Sequence, residues 1–591
     1  QTLRAVVDWS WDLLDHHERT VLRRLSVFAG GCDLAAVEAV CADPRDRDGG
    51  GTDALTALGT LVDKSLVVAA PGDGSAMRYR LLETVAEYAA DRLDAAGERD
   101  TAERRHLVHY RELVRTTDPL LRCSEQLAAL GLFDLEYENL RTALRRAVAA
   151  RDEQETLCLV MYLGWYWQLK DLRTESHHWS TAARELGPDP YAPDTGPAEP
   201  LFERFTEAPP PLGPELLAEA RRGNELLRMV TLNRDYDLWT TPENLARLRQ
   251  ITRVYRPGLP QLCRFPGNLW FFAVLLTDDG TGLPDMLDTL VRSCREYGYE
   301  WELAVAVQFR ANVLSDRSPW SEGAFASADE ARQIFTRLGD SWGAAEALAA
   351  RAEARERRGD FAEAVADYQE ALLYVARIGA PSHEAVLRAR LGGALLELGG
   401  ASAERGEVIV RDVVAAQGDR VHEATAISRI LLGIWLGRTG RRDEARELLT
   451  GLMELFGASR LLVFHGMVKG YLAWLDHQDG RHPEAYEAAV DAMRMAAQPL
   501  STMIAPQFLA THLVTVAGTL AAVDPGRARD AARLLAVADT RRPPGACLPA
   551  WEREARELIG AELRTALGDA EFTAAYEEGG GLSVEEATAL V

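Results

Sequence analysis

The sequence predicts a mainly α-helical chain: a short winged-helix module followed by an α-solenoid of TPR-like helical hairpins. Three observations carry that expectation. Ala, Leu, Arg and Glu recur throughout while strand-favouring residues are sparse, which favours helix. One stretch near the start breaks the helical period, where Leu66-Val67-Val68-Ala69 and Arg78-Tyr79-Arg80-Leu81 flank the turn Pro71-Gly72-Asp73-Gly74. Beyond about residue 310 a Gly…Ala frame returns again and again.

Residues 1–97 make the winged helix. The first helix spaces Leu3, Val6, Val7, Leu13 and Leu14 on a helical period. Asp15, with Glu18 three positions on, reads as a capping box for a second helix that buries Val21, Leu22, Leu25 and Phe28 and stops at Gly30-Gly31. Asp33 starts a third helix through Cys41, and Asp53 a fourth through Val62. The two strands follow, then a helix from Glu83 to Ala96 ending at Gly97.

Residues 98–187 continue as helices, the first TPR-like repeats, with an aromatic cluster at Trp165, Tyr166, Trp167 and Trp179. Residues 188–214, including Pro209-Pro210-Pro211, read as a proline-rich linker. Residues 215–310 return to helix irregularly, interrupted at Pro257, Pro260, Pro266 and Pro284.

Residues 311–591 are read as a TPR-like superhelix. Gly323, Phe325 and Ala328 recur as Gly359, Phe361 and Ala364, 36 residues later, and Gly440 with Ala445 recurs as Gly480 with Ala485, 40 residues later. Between them an intermediate unit near Gly406 is degenerate. In each clear unit a helix is expected before the Gly, a tight turn after it, and a second helix opened by the Ala. Tyr368 and Ala371 continue that helix as its large and small packing positions. Such hairpins bury their faces only by stacking on their neighbours.

At 591 residues the chain is long enough for about four domains of ~150 residues, or one repeat array. Its 47% hydrophobic and 26% charged residues exclude wholesale disorder. There is no apolar run of the roughly 20 residues a membrane span needs, and no signal peptide, so a cytoplasmic location is expected. The seven cysteines never form a C-x-x-C pair and read as small apolar residues in a reducing compartment. The chain opens on Gln1, already inside an amphipathic helix, and is expected to be a piece of a longer protein.

Catalytic signatures are missing. There is no G-x-x-x-x-G-K-[S/T], and the three lysines, Lys64, Lys170 and Lys469, follow no glycine-rich loop. Gly49-Gly50-Gly51 and Gly579-Gly580-Gly581 read as spacers. His106 and His109 sit one turn apart without a third ligand and read as solvated or capping side chains, not as a metal site. His16-His17 and His177-His178 are adjacent residues that cannot converge on one ion. No G-x-S-x-G elbow is present, and no enzyme, cofactor or metal site is expected.

A winged helix raises the question of DNA. Residues 53–63 occupy the recognition-helix position yet hold no Arg, Lys, Asn or Gln, and carry an aspartate at each end. The wing tip is Gly72-Asp73-Gly74, and Arg78 and Arg80 are its basic residues. A net charge of −24 opposes phosphate contacts, so direct DNA binding by this segment is not expected.

Several runs resemble the segment that follows the ATPase core in actinobacterial AfsR-like and LuxR-like STAND regulators. They are Gln1 to Leu14, Leu22 to Gly31, Leu61 to Leu66 and Tyr79 to Ala89, with Glu136 to Leu144 resembling the start of the repeat region and Ala531 to Ala589 the end of such chains. The resemblance covers residues 1–187 and about 310–591. It implies an NB-ARC-type NTPase domain before residue 1 that binds ATP or ADP, and a SARP-type or LuxR-type DNA-binding domain outside this stretch. In such proteins a Met-His-Asp motif touches the nucleotide; Leu81, Leu82 and Glu83 stand there in this chain, without the histidine. The function implied is a regulatory and sensor arm. Its partners would be its own NTPase domain and a protein or small-molecule signal, with no membrane. The alternative is a free-standing TPR scaffold that joins proteins without a nucleotide switch.

Overall fold

The computed structural model describes residues 3–42, 54–72, 77–231, 241–277, 282–315, 321–418, 423–457, 462–498, 501–502, 505–542, 545 and 547–591. Asp53, the glycines at 49–51 and the wing tip at Asp73-Gly74 lie outside them. The fold is mainly α: a winged helix at the N-terminus, then helices, of which those between residues 300 and 496 pack on their neighbours in chain order as an α-solenoid. The chain divides into two compact units. The first holds residues 1–168, 172–190 and 202–231; the second holds 169–171, 191–201 and 232–591.

The winged helix opens with α1 (Leu3–Asp12), α2 (His16–Leu25), α3 (Leu34–Cys41) and α4 (Ala54–Asp63). The capping box is formed at both ends: the Glu18 N–H donates to Asp15 Oδ1 at 2.8 Å, and the Asp15 N–H to Glu18 Oε2 at 2.8 Å. Asp33 accepts the Ala36 N–H in the same way at 2.8 Å. Strands β1 (Val67–Pro71) and β2 (Met77–Leu81) pair antiparallel, with Ala69 opposite Tyr79. Cys32 adds a single bridge on the other side of Tyr79, and α5 (Glu83–Ala95) closes the module. Val7, Leu22, Val37, Leu58, Leu61 and Leu93 are among the buried residues of its core. Gly31 has φ +94°, and a Cβ there would lie 2.9 Å from the Tyr79 carbonyl oxygen, so the crossover from α2 into the bridge admits only glycine.

The rest of the first unit is built from α6 (Arg99–Thr117), α7 (Gln126–Ala149), α8 (Glu153–Leu169), α9 (Arg173–Arg184) and α10 (Pro214–Thr231). Trp165, Tyr166, Trp167 and Trp179 are all buried. The proline-rich stretch forms no helix, but it is not the idle spacer that its composition suggests. Within the first unit the Phe205 carbonyl accepts from the Tyr162 hydroxyl at 2.8 Å, and the Leu212 N–H donates to Gln154 at 2.7 Å. Within the second, the Ala198 N–H donates to the Val254 carbonyl at 2.8 Å, and the Leu201 N–H to Gln261 at 3.0 Å. Proline forbids the helix but leaves carbonyls and intervening N–H groups that must find partners.

The second unit opens with α11 (Pro242–Val254), α12 (Trp270–Thr277) and α13 (Leu283–Tyr297). Successive helices from α14 (Glu300–Ser315) through α15 (Ser321–Leu338), α16 (Ser341–Arg358), α17 (Phe361–Ile378), α18 (Pro381–Leu398), α19 (Gly400–Gln417), α20 (Glu423–Arg438), α21 (Arg442–Phe456), α22 (Leu462–Gln478) and α23 (His482–Ala496) then form the hairpins. Positive-φ glycines mark the turns inside four of them: Gly359, Gly399, Gly440 and Gly480, steps of 40, 41 and 40 residues. Ala364, Ala445 and Ala485, each 0% exposed, follow their turns by five residues, and Tyr368 and Ala371 are equally buried.

Two expectations are corrected. Gly323 is not a turn residue; it lies in the first turn of α15, which already runs from Ser321. Gly406 does not mark the intermediate unit either: the turn is at Gly399-Gly400 and the buried small residue is Ala403. Gly406 sits inside α19, where a Cβ would come 2.7 Å from the Gly392 carbonyl oxygen. It is glycine because two helices touch there, not because the chain turns. Helices α24 (Gln507–Val523), α25 (Ala528–Thr540), α26 (Ala550–Leu567), α27 (Asp569–Gly579) and α28 (Val584–Ala589) share a closing apolar core. Among the described residues no helix is long and apolar enough to cross a membrane.

Candidate functional site

The recognition-helix position is α4. Its outward residues are Thr56, Gly59 and Asp63, which offer no cation and no amide to a base edge. Lys64 follows directly, but its ammonium lies 2.6 Å from Glu18 Oε1, a carboxylate on a residue only 5% exposed. On the wing, Arg78 pairs with Glu136 of α7 and donates to the Gly31 carbonyl at 3.2 Å. Burial works against the charge on Arg78, yet the Glu136 carboxylate outweighs it and holds the guanidinium above its ordinary pKa. Arg80 alone of the two wing arginines is exposed.

The Arg78–Glu136 pair belongs to a larger joint between the winged helix and the two helices after it. Asn139 stands one turn beyond Glu136 on α7 and is 1% exposed. Its Oδ1 accepts the Ala29 N–H at 2.8 Å, and its Nδ2 donates to the Gly31 carbonyl at 2.9 Å and to Glu136 at 2.8 Å. Both backbone groups of the Ala29–Gly31 crossover are thereby satisfied by one side chain. Arg146 of α7 donates to the Val27 carbonyl at 2.9 Å, and Phe28 packs on the His106 ring of α6, centroids 5.4 Å apart.

His106 is fully buried and lies 3.3 Å from Asn139 Oδ1, so it is neither solvated nor a helix cap, contrary to expectation. Burial, with Arg146 nearby, drives its pKa well below the ordinary value and keeps it neutral. Among the described residues no three His, Cys, Asp or Glu side chains gather as a metal site. The sequence carried Glu136 and Asn139 only inside a run of family resemblance. Their i, i+3 spacing on one face was the signal that could have paired them.

Leu81 packs at the edge of the winged-helix core, Leu82 is 47% exposed, and Glu83 opens α5. These residues give a nucleotide phosphate neither an imidazole nor a cation, so they do not fit a nucleotide-sensing role. A cavity of about 220 Å³ beside them is lined by Leu25, Phe28, Gly31, Tyr79, Arg80 and Leu81 and is walled by polar and apolar groups alike. In the repeats, Phe325 stacks under Arg355 and Arg358, each 5.6 Å from the ring centre, and Phe361 is partly buried.

Residues 14–94 match the family model described as a winged helix-turn-helix domain. A Mycobacterium tuberculosis protein named "Putative HTH-type transcriptional regulator Rv0890c" is 45% identical over 144 residues, 24% of this chain and 16% of that protein. An uncharacterized protein of the same organism, Rv0894, is 44% identical over 112 residues, 19% of this chain and 28% of its own length. The chain thus spans well under a third of either relative. Among solved structures, the STAND protein with a tetratricopeptide repeat sensor PH0952 from Pyrococcus horikoshii aligns over 98% of this chain and 68% of its own. The identity is 12% and the TM-score 0.36, a likeness too weak to carry an argument.

Proposed function

We propose that this chain is the regulatory and sensor arm of a transcriptional regulator of the STAND type, in the AfsR-like or LuxR-like group its motifs resemble. The winged helix acts as a coupling module, and the hairpins from about residue 311 receive a protein or small-molecule signal. ATP or ADP would be bound by an NTPase domain outside this stretch. The carrying observation is that Arg78, the wing residue placed to grip phosphate, is spent on Glu136 of the arm. A module built to read DNA keeps its cations outward; this one turns a cation inward to hold its neighbour. The partial similarity to HTH-type regulators supports a role in transcription.

The test is calorimetric titration of the chain with the NTPase domain of its parent protein, once with ADP and once with a non-hydrolysable ATP analogue. Different affinities are expected, because only differential binding can shift a switch. Equal affinities would sink the reading.

The winged helix-turn-helix match favours a second reading, direct DNA contact. Contact with Z phosphates makes log K fall with log salt at a slope of about −0.9Z. Titration with duplex DNA at low salt separates the two: salt-steep binding favours contact, and its absence removes it.

A further inference from the structure

One stretch near the C-terminus lies across four successive hairpins. The Cys547 N–H donates to the Arg357 carbonyl at 2.8 Å, satisfying one of the last carbonyls of α16, which have no partner within the helix. The Ala550 N–H donates to Glu397 Oε2 near the end of α18 at 3.0 Å. Glu554 pairs with Arg438, the last residue of α20, at 2.7 Å. Trp551, only 5% exposed, meets Tyr471 and Trp474 of α22 edge-on, with ring centres 5.2 and 5.3 Å away. The anchors fall on the first helices of four consecutive hairpins.

These are the contacts by which repeat surfaces hold peptides: backbone N–H groups onto fixed acceptors, an aromatic side chain in an aromatic notch, and a carboxylate on an arginine. We propose that this surface is a peptide-binding site which the chain fills with its own residues 547–556. The partner it fits is a helix-starting segment with an aromatic residue and, three positions later, a carboxylate. The proposal rests on the reading of these hairpins as the signal-receiving part.

Two features make the occupant replaceable. The segment closes over carboxylates that resist burial: desolvation raises the pKa of both Glu397 and Glu552, and Glu554 adds like-charge repulsion at Glu397. The rest of α26 is held by Ile559 and Leu563 in the C-terminal core, which stays in place when residues 547–556 lift, although lifting must also break the Glu552–Arg542 and Arg556–Asp539 pairs. What the segment has in its favour is its tether, which gives it an effective concentration of order millimolar.

The test uses the full chain and a labelled synthetic peptide, Gly545–Arg556. In Trp551→Ala/Glu554→Arg, hydrogen exchange at the Cys547 and Ala550 amides is expected to accelerate while α16, α18, α20 and α22 stay protected. The peptide is then expected to bind this variant at least tenfold more tightly than the unaltered chain. Peptides carrying either substitution are expected to fail. If the amides stay protected, the segment is a fixed part of the core and the proposal falls; it falls equally if they open and the peptide does not bind. Transcriptional output of the parent protein carrying the variant separates this from the broader reading. Peptide binding with unchanged output removes the sensor role and leaves the site, whereas changed output without peptide binding removes only the site.

Discussion

Asn139 Oδ1 accepts the backbone N–H of Ala29 at 2.8 Å, across 110 residues of chain. The same amide donates to Gly31, so a single side chain fixes the crossover of the winged helix onto the first arm helices.

Replacing Asn139 by alanine leaves the Ala29 N–H without its partner, while the Gly31 carbonyl keeps Arg78. The orphaned group costs about 1–3 kcal/mol. Urea unfolding of the chain is expected to shift by at least that much, and the Ala29 amide is expected to exchange faster. An unchanged Ala29 exchange rate would show that the joint does not depend on this side chain.

Glu136→Gln leaves Arg78 charged and poorly paired where Glu136 is only 2% exposed. Breaking a buried pair costs about 3–5 kcal/mol, whereas replacing both partners by apolar residues is often neutral. Thermal melts of Glu136→Gln, Arg78→Met and Arg78→Met/Glu136→Leu are therefore expected to be strongly non-additive, the double variant lying near the parent. Additive losses would mean the two residues act separately.

Gly31→Ala forces a side chain into φ +94° with its Cβ 2.9 Å from the Tyr79 oxygen. A loss of about 2 kcal/mol or more is expected from conformation and clash together. The Tyr79 amide, which donates to Cys32 at 2.8 Å, is where hydrogen exchange should report it first.

Glu356, half-buried and stripped of much of its hydration, with Glu397 nearby, has its carboxyl pKa pushed from 4.5 up to about 8. A folded-state pKa above the unfolded one means that the native chain holds a proton which the unfolded chain has released. Stability from this group is present below about pH 4.5 and is lost as pH rises toward about 8. Glu356→Gln is expected to flatten that decline in stability measured across this window; an unchanged slope would place the titration elsewhere.

What was legible in the sequence was local. The Asp15–Glu18 capping box, the strand pair Val67–Pro71 with Met77–Leu81 and the turns at Gly359, Gly440 and Gly480 are each written within a few residues, and each has a short-range cause. Gly323 and Gly406 misled because glycine answers two needs, a positive φ and a close helix contact, and one letter does not say which. The Arg78–Glu136 pair joins residues 58 apart, and nothing in the neighbourhood of either announces the other. Proline at 209–211 declared the absence of helix but not the hydrogen bonds its neighbours would find. The fastening of Cys547 to Arg357 depends on how many hairpins lie between, a property of the stack and not of any motif.

That fastening also works as a gauge of length. Stacked helices stand about 8–10 Å apart. An extended chain covers ~3.3 Å per residue and a helix 1.5 Å, and the few residues from Cys547 to Glu554 reach Arg357, Glu397 and Arg438. A duplicated hairpin inserted between Gly399 and Gly440 would stack well enough on its neighbours, yet it would move Arg438 out of Glu554's reach. Arrays of this kind otherwise gain and lose units freely; here the stretch between Arg357 and Arg438 has its number of hairpins set by a ruler from the far end of the chain.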